Sequence, residues 1–237
     1  AIDCAFWDLY GKLENKTFSE LNQLKSTHFP QSSITISMDE EDIQLKKIIE
    51  SDWEYFKVKV NSWSTSLRDK LLATGKNISI DSNGSFTLKT CEIIQNDSLS
   101  AEFLYFEQPM PKGAENYQNL SQNSYANWMA DEDLQSIDDL EFLQNHYKTI
   151  NIKVMKCGGL TPSLSIIQKA KAMNFQIMIG CMTESTVGIS AGIALASFAD
   201  YLDLDGANLI ENDNFNGSKI VNGEVVSSEH SGLGIQI

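Results

Sequence analysis

The sequence predicts an α/β fold, a parallel (β/α) barrel. Three observations carry this. Strand-like and helix-like runs alternate along most of the chain; a charged residue closes successive strands at a near-constant spacing; and no GxGxxG follows the first strand, which weakens the rival reading, an open doubly wound sheet.

The runs fall in order. An amphipathic helix opens the chain over residues 1–13, with Ile2, Ala5, Phe6, Leu9 and Leu13 at helical spacing. From residue 33 the predicted strands are 33–38, 55–60, 77–81, 102–108, 125–130, 149–155, 175–180 and 201–205. Predicted helices lie between them at 39–51, 64–74, 87–97, 114–122, 134–144, 163–173 and 186–198. The first of these starts with acids and carries lysines later, as its dipole prefers. One domain over residues 1–237 follows: entry helix 1–13, barrel 33–205 and C-terminal segment 206–237.

With 237 residues, 42% of them hydrophobic, the chain can bury a sizeable core. A formal net charge of -14 argues against nucleic acid or an anionic membrane as partner. No apolar run has the length of a membrane span. Cys4, Cys91, Cys157 and Cys181 form no CxxC or Cys/His pattern, so reduced thiols in the cytoplasm are expected rather than a zinc site.

A barrel gathers its chemistry at the C-terminal ends of its strands. Lys59, Asp81, Glu107, Asp131 and Lys153 close successive strands at intervals of 22, 26, 24 and 22 residues, and Asp203 follows on the last strand. Lys57 shares a strand face with Lys59, opposite Phe56, Val58 and Val60, so both lysines are expected to face the interior. Asp81, Glu107 and Asp131 would repel one another unless a cation holds them, and an all-oxygen set points to Mg²⁺, one per site. The plain alternative is that each aspartate caps a helix; three adjacent strands in agreement favour the metal. Lys59 and Lys153 would flank that metal as acid and base. Lys57 would lower the pKa of its neighbour by like-charge repulsion.

These motifs, KVK at 57–59, DSN at 81–83, FEQP at 106–109, ADED at 130–133 and NIKVMKCGG at 151–159, resemble the enolase superfamily in its muconate-lactonizing subgroup. The resemblance covers essentially the whole chain, from AIDCAFWDLYGK to the closing GLGI. It implies a TIM-like (β/α)7β barrel and an N-terminal α+β capping domain that is not present in this sequence. It also implies Mg²⁺ ligands at Asp81, Glu107 and Asp131, an acid/base pair of Lys59 and Lys153, and Lys57 near the substrate carboxylate. Enediolates held this way are the general pattern for enolase-type sites. None of His28, His146 or His230 closes a late strand, which disfavours the mandelate-racemase branch.

Within the subgroup, DLD at 203–205 resembles the Asp-x-Asp with which dipeptide epimerases receive an α-ammonium. On one strand face, Asp203 and Asp205 could clamp such a group. MTES at 182–185 also resembles these epimerases, with Glu184 either supporting or structural. The expectation is a Mg²⁺-dependent epimerase inverting the C-terminal residue of a small dipeptide, with L-Ala-D/L-Glu from cell-wall peptide recycling as lead substrate. Alternatives are o-succinylbenzoate synthase, N-acylamino acid racemase or cycloisomerase, or a non-catalytic metal-binding barrel remnant. The sequence leaves room for a homo-oligomer.

Overall fold

A computed structural model describes residues 1–24 and 28–236. In chain order its elements are α1 (Ile2–Glu14), α2 (Phe18–Leu21), β1 (Ile34–Ile36), α3 (Glu41–Ile49), β2 (Tyr55–Lys59), α4 (Thr65–Leu72), β3 (Asn77–Asp81) and α5 (Leu88–Asn96). Then come β4 (Phe106–Glu107), α6 (Ala114–Tyr117), β5 (Trp128–Ala130), α7 (Leu140–Leu143), β6 (Thr149–Lys153), α8 (Val154–Cys157), α9 (Leu160–Ala172) and β7 (Gln176–Gly180). The chain ends with α10 (Thr186–Ile193), β8 (Tyr201–Asp203) and a hairpin of β9 (Lys219–Val221) and β10 (Glu224–Val226).

The strands β1 to β8 follow one another in sequence order. A doubly wound sheet reverses its order at a switch point, and this one has none, so the open-sheet alternative fails. The chain divides into two compact units.

One unit runs over Ser33–Asn151 with Met173–Gln176 and carries β1 to β5 and the start of β6. Its neighbouring strands pair in parallel, in the registers Ile36↔Val58, Lys59↔Asp81, Asp81↔Glu107, Glu107↔Met129 and Ala130↔Ile150. Phe56, Val58, Ile78, Ile80, Phe106, Trp128 and Ile150 are buried, as are Lys57 and Ser79 in the alternate positions of β2 and β3. Both faces of these strands are therefore covered. On the helix side Ile48 of α3, Leu71 of α4 and Cys91 and Ile94 of α5 close the core. Ser64 and Thr87 cap α4 and α5 by accepting from Leu67 and Thr90 N–H.

Several predicted elements in this unit come out shorter, and three of them have a local reason in nearby side chains or turns. The strand expected from residue 102 begins late because Ser98–Glu102 turn into a 3-10 helix capped by the Asp97 carboxylate. The helix expected over 114–122 is one turn, since Asn116 and Asn119 amides bond the Pro111 and Glu115 carbonyls and compete with the backbone ladder. The helix expected over 134–144 starts late: Ser136 and Asp139 form a capping box ahead of a 3-10 turn at Ile137–Asp139, and α7 follows.

The other unit holds Ala1–Ser32, Ile152–Ala172 and Ile177–Ile237. β7 and β8 pair in parallel, with Gly180 opposite Asp203, and Ser32 bridges Leu202 of β8. The strand expected over 149–155 stops at Lys153, where the chain turns directly into α8. Gly158 and Gly159 end that turn with φ of 95° and 139°. A Cβ on Gly159 would stand 2.5 Å from the Asp3 side chain, whose carboxylate accepts the Thr161 N–H at 3.0 Å and so caps α9. The β9–β10 hairpin, its turn at Asn222-Gly223 with both residues at positive φ, was not among the predicted elements. All four cysteines are free thiols, and no helix among the described residues is long and apolar enough to cross a membrane.

Leu71 is fully buried, whereas Ile49, a short distance along the chain on α3, is 65% exposed. Leu71→Ala is expected to cost about 2–5 kcal/mol and Ile49→Ala less than about 0.5 kcal/mol, read as a shift in the denaturant midpoint.

Candidate active site

The strand ends of the first unit bring four of the predicted residues into contact. Lys59, Asp81 and Glu107 are the last residues of β2, β3 and β4 and lie in lateral register. Side chains in register point to the same side of a parallel sheet, so the order of the chain alone sets this row. Lys57 lies two residues back on the same face and is only 4% exposed. Its Nζ is 3.6 Å from Glu107 Oε2 and 3.9 Å from Asp81 Oδ2. Lys59 Nζ donates to Asp81 Oδ2 at 3.0 Å. The two lysines thus meet carboxylates, which offset the repulsion between them.

Asp131 follows β5 directly and is buried in the same unit. Beside it, burial holds the Glu132 carboxyl above the usual range, and the charges of Asp131 and Asp81 push it the same way. The local field is therefore negative. Among the described residues no three His, Cys, Asp or Glu side chains converge in metal-holding geometry, and the lysine ammoniums lie against Asp81 and Glu107 instead. The donor set still suits a hard divalent cation. Three buried carboxylates outnumber the two ammoniums, and the donor atoms they offer are all oxygen.

Three polar residues without a formal charge complete the cluster, and none was singled out from the sequence. Asn151, fully buried on β6, donates through Nδ2 to Glu107 Oε1 at 2.7 Å. Gln108 accepts at Oε1 from the N–H groups of Asp131 (3.1 Å) and Asp133 (3.2 Å). Its Nε2 donates to Asp133 Oδ2 at 2.8 Å and to the Met110 carbonyl at 2.9 Å. Asp133 also takes the Tyr147 hydroxyl at 2.7 Å, and three of the four bonds of the buried Gln108 amide fix the turn that presents Asp131. Asn83 bonds Lys59. The signal that was available lay beside the charged positions: an amide follows Asp81 at the second place, follows Glu107 at the next, and precedes Lys153 by one pleat.

The remaining predicted residues belong to the second unit. Lys153 ends β6 and is half-buried. Burial raises the Glu184 carboxyl, while the Met182 N–H, bonded at 3.0 Å, and the Lys153 charge pull it back only in part. Asp203 ends β8 opposite Gly180, and both Asp203 and Asp205 are buried. The expected shared strand face does not hold for Asp205. β8 stops at Asp203, and Asp205 is a helical-region residue leading the 3-10 turn Gly206–Leu209, its carbonyl accepting the Asn208 N–H. Gly206 is why the chain can turn there: a Cβ would lie 2.2 Å from the Met182 carbonyl. The pair is thus a strand end plus a turn, not two rungs of one strand.

A family model described as enolase C-terminal domain-like matches residues 50–237. An L-Ala-D/L-amino acid epimerase of Maribacter sp. is 36% identical over 247 residues, covering 100% of this chain and 72% of that protein. An N-acetyl-D-glutamate racemase of a Pseudoalteromonas is 31% identical over 217 residues, 90% of this chain and 68% of that one. Among solved structures, a dipeptide epimerase from Enterococcus faecalis, complexed with Mg and the dipeptide L-Leu-L-Tyr, gives a TM-score of 0.86 at 27% identity, over 100% of this chain and 72% of that one. The α/β barrel expected from the sequence is the fold class of this family. On the family match, these relatives and the fold together, the chain belongs to the enolase superfamily, in its C-terminal domain-like family, as an isomerase of the epimerase group.

Proposed function

We propose that this chain epimerises dipeptides at the α-carbon of the C-terminal residue, with Mg²⁺ as its metal. L-Ala-D/L-Glu from recycled cell-wall peptide is the lead substrate, and the cytoplasm is the compartment. The observation that supports this most is the registered row Lys59, Asp81, Glu107, with Lys57 buried behind it.

Asp81, Glu107 and Asp131 would hold the Mg²⁺, which when bound offsets the negative charge that grows on the substrate carboxylate. Lys59 and Lys153 would exchange the α-proton. One, as the neutral amine, takes it from one face; the other, as ammonium, returns a proton to the opposite face, and the roles swap for the other epimer. Lys57 keeps an ammonium beside Asp81 and Glu107, where it would face the substrate carboxylate. Asp203 and Asp205 would take the α-ammonium by charge-assisted hydrogen bonds.

A second reading, racemisation of N-acylamino acids, draws on the Pseudoalteromonas relative, which is named for such a substrate. It uses the same row and needs no ammonium clamp.

In D₂O with Mg²⁺, a dipeptide incubated with the full-length protein is expected to gain one deuterium at the α-carbon of its C-terminal residue, read by mass spectrometry, and EDTA is expected to stop this. No uptake from any dipeptide would sink the proposal. Lys59→Ala and Lys153→Ala are each expected to cut epimerisation by about 10²–10⁴-fold with Mg²⁺ binding retained; a variant that kept the parent rate would remove that lysine from the scheme. The double substitution Asp203→Asn, Asp205→Asn is expected to raise KM for dipeptides by roughly 10–100-fold and to leave N-acetylamino acids unaffected. Unchanged dipeptide KM would favour the acylamino reading.

A further inference from the structure

Asn83 is two residues past β3, in a turn locked from several sides. The Ser82 hydroxyl donates to the Gln108 and Pro109 carbonyls at 2.9 and 3.1 Å, and Gly84 N–H donates to the Gln108 carbonyl at 2.7 Å. Asn83 itself has φ 44° and Gly84 φ 79°. Asparagine tolerates that left-handed region better than most residues, but at some cost, and such outliers persist where the surroundings impose them.

What the turn positions is an amide with three contacts. Its backbone N–H donates to Asp81 Oδ1 at 2.9 Å. Its side-chain Oδ1 accepts from Lys59 Nζ at 2.7 Å, and its Nδ2 lies 3.4 Å from Glu132 Oε1. The carboxylate on one side and the ammonium on the other fix which way the amide faces: nitrogen to Glu132, oxygen to Lys59.

Lys59 Nζ therefore has two acceptors, Asp81 Oδ2 at 3.0 Å and Asn83 Oδ1 at 2.7 Å. A tetrahedral ammonium has three N–H directions. With two of them anchored, only the third is left to give up its proton. After that loss the two remaining N–H bonds stay on the same acceptors and the lone pair points along the third direction. We propose that Asn83 is a positioning residue for Lys59, aiming its lone pair so that it works on one face of the substrate α-carbon. The proposal rests on the two-lysine reading above. With Asp81 as the single acceptor, the second N–H and the lone pair of the neutral amine could trade places by rotation about Cε–Nζ.

The test is α-proton exchange measured separately from each of the two epimers of a dipeptide, in D₂O with Mg²⁺. The parent protein is expected to exchange both; if it exchanges neither, the epimerase reading has failed and not the role of Asn83. Lys59→Ala identifies the epimer whose proton Lys59 removes. Asn83→Gly keeps the backbone N–H to Asp81 and suits φ 44°, so only the side chain is lost. It is expected to slow exchange from that epimer on the order of 10–100-fold and to leave exchange from the other within about twofold. Asn83→Asp, which retains an acceptor for Lys59, is expected to keep more of that exchange than the glycine variant. Equal slowing of both epimers, no slowing at all, or an aspartate variant no better than glycine would overturn the assignment.

Discussion

The ammonium of Lys57, almost wholly buried between Asp81 and Glu107, is the interaction on which the rest of this site depends. A lone ammonium does not persist in an interior; it is paired or it loses its proton. The pairing constrains three strands at once. β2 must carry lysine on its inner face, β3 and β4 must end in acids at the same level, and the registers that align them cannot slip by one residue without turning all of these side chains to the other face. Buried pairs of this kind add little to stability by themselves, yet losing one partner is costly. Such a group therefore belongs with function more than with folding.

Around that pair the uncharged side chains do the orienting. Asn151 fixes one oxygen of Glu107, Gln108 fixes the turn carrying Asp131, and Asn83 fixes Lys59. Amides suit this because they offer both donor and acceptor and add no charge to a site already rich in it. The charged residues set which chemistry can occur; the amides set the directions along which it can occur.

The strand order and the registered charges Lys59, Asp81 and Glu107 were legible in the sequence because both follow from one regularity, the strand–helix module, and these three residues fall where their strands end, whereas Asp131 comes one residue past β5. What could not be read were features decided by particular neighbours. Asp205 leaves the strand because the chain turns at Gly206 against the Met182 carbonyl, a contact that two-residue periodicity does not encode. The helix at residues 114–122 shrinks because asparagine side chains bond nearby carbonyls, although the local composition is compatible with helix. Asn83, Gln108 and Asn151 escaped notice because an uncharged amide stands out only by its place beside the charged strand ends.

The parallel bridge between Ser32 and Leu202 has a consequence for how the chain is made. Its two ends are 170 residues apart, and Ser32 Oγ also accepts the Leu204 N–H at 2.8 Å. During synthesis Ser32 emerges long before Leu202, so this pairing within one unit forms only once β8 has left the ribosome. Contacts this distant form slowly. The slow step within this unit is thus the arrival of β8, and the Ser32 hydroxyl is among the groups that receive it.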